Sequence, residues 1–224
     1  MKNEQIKKIA VTAMLTALAF LITFVFRFKV GFLTFDFKDA IISIASLLYG
    51  PLYGISSAAI VALIELSVSD TGIYGLIMNF ASSATFALAL GTVYKYKRSF
   101  AGAIIASITA VFSVTAVMMV ANMIVTPFYT GTTFGDVVAM IPAMLLPFNL
   151  TKAIINATAL LVIYKPFTMA LKKARLVKSS GSGSYKFGVK SILLMVVSIL
   201  IFIAAVLFLI FVMQGEFSLF KTAS

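Results

Sequence analysis

IISIASLLYGPLYGISSAAIVALIELSVS, residues 41–69, decides the fold. Nearly every residue in it is apolar, small or a hydroxyl. Read as one helix, it is a single long span. Read as two, it breaks at Gly50-Pro51, and every later segment changes sides. Gly-Pro followed by Gly54 is strong turn chemistry. The cost is length: ten or eleven residues rise only about 16 Å, short of the ~30 Å hydrocarbon core. A break therefore implies helices that are short, tilted or shielded by neighbours.

The rest of the chain sets the context. Of 224 residues, 62% are hydrophobic, well above the roughly 45–50% of a soluble domain, and the mean hydropathy is +1.10. Apolar runs cover 9–26, 40–49, 51–68, 74–94, 100–126, 138–164 and 191–213. They lack barrel-strand alternation, and in lipid only helices or closed barrels satisfy their own backbone. The first run, from Ile9 to Phe26, is long enough to stay as a span, with no signal-peptide cleavage pattern. The expected class is an all-α integral membrane protein in a lipid bilayer.

Charge alone leaves the break undecided. A split chain with its N-terminus inside places 13 Lys/Arg inside and 4 outside; an unsplit chain with the N-terminus outside gives the same count. The basic flank MKNEQIKK and the turn chemistry favour the split, with a cytoplasmic N-terminus. The expected plan is a six-helix core over 1–175, a basic Gly/Ser-containing linker over 176–190, and an extra transmembrane helix and tail over 191–224. Loops 27–38, 69–73 and 127–137 then share the outer face, and acids such as Asp36, Asp39, Glu65 and Asp136 lie away from the inner loops. That distribution suits a pocket opening outward. The net charge of +11 reflects loop lysines obeying the positive-inside rule rather than a nucleic-acid partner.

One run is anomalous. PFNLTKAIINATALLVIYK, residues 147–165, holds Asn149, Lys152 and Asn156 in an otherwise oily helix. At 100° per residue they fall at about 0°, 300° and 340°, on one narrow face. A lysine facing lipid near mid-span costs several kcal/mol, so the face must look inward. Pro147 removes a backbone donor just ahead of Asn149 and frees a carbonyl. Asn156 reads as interhelical glue; Asn149 with Lys152 reads as a ligand site. Glu65 is the only membrane acid placed to pair with Lys152. Asn79 and Asn122 fall at comparable depth on other helices. In the loop RFKVGFLTFDFKD, residues 27–39, Phe32, Phe35 and Phe37 either pack on a flat ring or anchor the loop.

Enzyme chemistry finds no foothold. The sequence has no His and no Cys, which removes Ser–His pairs, HExxH zinc motifs and thiol catalysis. There is no P-loop and no mid-membrane Asp pair. The expected class is a binding or transport subunit, not an enzyme, with no cofactor.

Four stretches carry a family resemblance: AVTAMLTALAF (10–20), FDFKDAIISIASLLYGPLYG (35–54), NMIVTPFY (122–129) and LPFNLTKAIINATALLVIYKPF (146–167). Through them the chain resembles the substrate-binding S-components of energy-coupling factor (ECF) vitamin transporters, and most of all the riboflavin-specific members. The resemblance covers roughly residues 5–175, and the family usually ends after six helices. It implies that Asn149 and Lys152 hold the polar edge of riboflavin, that Asn122 contacts the ring, and that Leu33, Thr34, Phe35 and Asp36 lie in a loop covering the site. Asn79 is a candidate neighbour. It also implies that Ala13 and Ala17, a small-xxx-small pair, dock on a transmembrane coupling subunit, itself bound to two cytoplasmic ATPase subunits in a bacterial plasma membrane. The transported ligand, not a cofactor, would fill the pocket. The alternatives are an S-component for biotin, pantothenate or thiamine, or a stand-alone membrane facilitator.

Overall fold

The computed structural model describes residues 2–26, 28–69, 71–174, 189–213 and 216–217. Helix α1 runs Lys2–Val25 and leads into a hairpin of strands β1 (Phe28–Val30) and β2 (Leu33–Phe35). Helices α2 (Lys38–Tyr49), α3 (Pro51–Leu66), α4 (Gly72–Tyr96) and α5 (Phe100–Thr130) come next. Then α6 (Phe134–Met140), a π-helical turn (Ile141–Leu145) and α7 (Leu146–Lys173) run on as one helical stretch. Helix α8 (Val189–Leu207) ends in a second π-helical turn (Phe208–Val212), with the short strand β3 (Glu216–Phe217) beyond it. Most of the expected linker falls at 175–188, outside the described residues, as do Arg27, Asp70 and the tail beyond 217.

The chain breaks at Gly50. Its φ of +105° is a conformation that L side chains avoid, and Pro51 supplies a pre-set first residue for α3. With 12 and 16 residues, α2 and α3 are too short to cross alone. They survive by packing among α1, α4 and α7. Ser46 of α2 donates to the Ala87 carbonyl of α4 at 2.9 Å. Gly54 of α3 makes room for this, because a Cβ there would collide with Ser46 Oγ.

Among the described residues, five helical stretches are long and apolar enough to cross a membrane: 3–25, 72–96, 100–130, 134–171 and 192–212. Their outer sides expose large apolar residues such as Phe112 and Ile124. On a soluble protein that surface would aggregate; here the bilayer is its solvent, and the protein is a multi-pass membrane protein. The main core gathers Leu15, Ile42, Phe86, Leu90 and Leu160 between the helices. A second apolar cluster of Val30, Phe35, Phe148, Ile155 and Leu209 lies against the hairpin.

Candidate functional site

A cavity of about 240 Å³ opens between the hairpin, the C-terminal ends of α3 and α5, and the N-terminal parts of α4 and α7. These are the ends joined by the loops expected on the outer face. Three local features aim the polar groups. The π-helical turn carries Pro142 and precedes Pro147, so the α7 backbone is irregular just before Asn149. Asn149 Nδ2 donates to the Leu145 carbonyl at 2.8 Å, taking up an acceptor in that turn. Asn122 is tied along its own helix, donating to Met118 O at 2.7 Å and accepting from Thr126 at 3.0 Å.

Asn79, Asn122, Asn149, Lys152, Leu33, Thr34 and Asp36 all line this cavity. Phe35 does not. Strand alternation turns it to the opposite side of the hairpin from Thr34, and it is fully enclosed in the second apolar cluster. In this structure Phe35 therefore faces away from the cavity, and Phe32 is the phenylalanine of the loop that lines it. Ala13 and Ala17 lie on the exposed face of α1, beside Ile9 and Leu21 and away from the cavity.

The electrostatics also differ from the expected pairing. Lys152 Nζ meets Asp36 Oδ2 at 2.9 Å and the Thr34 carbonyl at 3.2 Å. Glu65 instead holds Lys38, with both carboxylate oxygens within 2.9 Å of Nζ. Asp36 lies between the two lysines, 3.5 Å from Lys38 Nζ. Burial pushes the Asp36 carboxyl up, but the ammonium groups of Lys152 and Lys38 outweigh it and hold the pKa at about 2. Asp39 completes the cluster and accepts from Ser83. In this cluster Asp36 pairs with Lys152 and Glu65 with Lys38, so Lys152 is not an unpaired cation awaiting an anion. Lys38 is the site residue that sequence reading missed: Lys38 and Glu65 sit 27 positions apart with no shared periodicity, and only the fold brings them together.

Asn156 is glue. Fully buried, it accepts from the Ala40 amide at 3.0 Å and donates to the carbonyls of Asp36 and Lys152. It pins the end of the hairpin to α7. The hydrogen-bonding capacity left facing the cavity belongs to other groups. Lys152 has three donors, two of them engaged. Among the described residues, Asn149 Oδ1 and the whole Asn79 amide make no hydrogen bond to protein. The arrangement suits a neutral ligand offering carbonyl and N–H groups together.

The chain is similar to known proteins of one kind. A family model described as "ECF transporter, substrate-specific component" matches residues 7–164. The chain is 30% identical over 181 residues to the riboflavin transporter RibU of Staphylococcus aureus (strain TCH60), covering 76% of this chain and 95% of that protein. It is 28% identical over 173 residues to the riboflavin transporter FmnP of Bacillus subtilis (strain 168), covering 71% of this chain and 91% of that one. A solved structure of the S component of a bacterial ECF transporter superposes with a TM-score of 0.65 at 30% identity, covering 75% of this chain and 99% of that one.

Proposed function

The chain belongs to the family of ECF transporter substrate-specific components, and from that premise we propose that it is a riboflavin-binding subunit that captures the vitamin outside the cell. The carrying observation is the unused bonding capacity of Asn79, Asn149 and Lys152 around one cavity. Riboflavin is neutral. Its uracil-like edge presents two carbonyls and an N–H, which carboxamides match with acceptor and donor in one group. Met78, Met118 and Val125 offer apolar contact to the ring faces. Because Asp36 already pairs with Lys152, a biotin or pantothenate carboxylate would find that ammonium group engaged. That argues for the neutral vitamin.

The N-terminus lies in the cytoplasm in this reading, and the cavity faces outward. The vitamin enters past the hairpin, since a 240 Å³ space is below the ~300–1,000 Å³ of pockets that enclose drug-sized ligands. Capture therefore displaces the Thr34–Asp36 segment. The exposed Ala13–Ala17 face of α1 docks on the transmembrane coupling subunit. Two ATPase subunits on the cytoplasmic side then drive release. Purification in detergent from riboflavin-containing culture tests the reading: the protein should be yellow and carry equimolar flavin. Colourless protein that fails to quench added riboflavin fluorescence overturns it, and uptake in cells lacking the ATPase module would favour a facilitator.

A further inference from the structure

The family match stops at residue 164, before α8 begins. The chain beyond α7 nonetheless returns to the hairpin beside the cavity. Strand β1 is paired on both edges. Phe28, Lys29 and Val30 face Phe35, Thr34 and Leu33 of β2, while Phe28 and Lys29 also face Phe217 and Glu216 of β3. The sheet order is therefore β2-β1-β3, with the cavity hairpin clasped from outside by the residues after α8. A two-stranded hairpin alone is marginal, and a third strand over an apolar face gives it independent stability.

Side-chain packing agrees with the strand pairing. Leu209, in the π-helical turn that ends α8, is fully buried against Val30, Phe35, Phe148 and Ile155. Phe202, two turns earlier, places its ring 5.9 Å from that of Phe37. The remaining surface of α8 is largely exposed, Leu193 and Leu200 included. The helix thus makes its buried contacts where they bear on the hairpin and on α7.

We propose that residues 189–213 and 216–217 are a brace for the entrance: they hold the 28–36 hairpin down over the cavity and so lengthen the residence of the captured ligand without touching it. This role rests on the ligand capture proposed for the cavity. Lifting the hairpin means withdrawing Phe35 from Leu209 and parting β1 from β3. Leu209 and Phe202 are positioning residues, acting on the ligand through Phe35 and Phe37.

The test uses the full chain carrying Leu209→Ala or Phe202→Ala, with Leu200→Ala on the lipid-facing side of α8 as control. Hydrogen exchange of the 28–35 amides in riboflavin-free protein should accelerate about tenfold or more in both variants, with α5 amides unchanged. Riboflavin should leave the loaded protein faster by a similar factor and also enter faster, because both passages open the same hairpin, and Leu209→Ile should keep the parent rates. Exchange within about twofold of the parent, or equal acceleration in α5, overturns the brace. Should Leu209→Ala fail to fold, Phe202→Ala decides alone, because its side chain is only half-buried. Should the parent bind no riboflavin, the ligand reading falls while the exchange experiment still decides the brace.

Discussion

Lys152 Nζ and Asp36 Oδ2 lie 2.9 Å apart, joining the first loop to the last helix of the core across 116 positions of sequence. The pair is buried at both ends, so it latches the hairpin to α7 and also orients the third Lys152 donor toward the cavity. Lys152→Met should remove both effects. Hydrogen bonds to charged groups contribute about 1.5–3 kcal/mol, which corresponds to a loss of roughly tenfold to over a hundredfold in riboflavin affinity by calorimetry. Asp36→Asn should weaken binding less, and the double variant should fall short of the sum. Binding by Lys152→Met within about threefold of the parent removes Lys152 from the site.

Asn149 and Asn156 occupy one helix face but should fail differently. Asn149→Ala deletes a group beside the cavity and should weaken binding by about 1–3 kcal/mol with little change in the melting temperature of riboflavin-free protein. Asn156→Ala strands the Ala40 amide and the Asp36 carbonyl in a buried site. It should lower that melting temperature at once. Thermal denaturation beside calorimetry separates the two; identical profiles would contradict the assignment.

Ala13 and Ala17 face away from the cavity. Ala13→Trp should bind riboflavin like the parent and abolish uptake in cells that carry the coupling and ATPase subunits. Normal uptake by that variant would move the docking face elsewhere.

Gly54 is held to hydrogen by the seam between α2, α3 and α4. Gly54→Val should push Ser46 off the Ala87 carbonyl and destabilise the protein by about 1–3 kcal/mol. A melting temperature equal to the parent's would show that the seam yields.

What can be read from sequence here depends on periodicity. The Gly50-Pro51 break and the polar face of α7 are legible because each is written in consecutive or helically spaced residues. Asn79 and Asn122 are legible from their depth within apolar runs. The partner of Lys152 is not, since an acid in an irregular loop carries no periodic signal, and depth alone selects Glu65. The inward turn of Phe35, away from the cavity, is not legible for a related reason: the turn at Gly31 sets the hairpin register, and strand alternation then decides which residues face the cavity. The third strand pairs segments at opposite ends of the chain, a contact that no local pattern announces.

The shared carboxylate also sets an order of assembly. During synthesis Asp36 emerges more than a hundred residues before Lys152. When the last core helix partitions from the translocon, its ammonium group carries an insertion cost of about 2.5–3.5 kcal/mol until a counter-ion reaches it. That counter-ion waits on the loop that follows the first helix. Assembly of this fold then ends in a rendezvous between its earliest loop and its latest core helix, and a cell that traps the first should stall the second at the membrane.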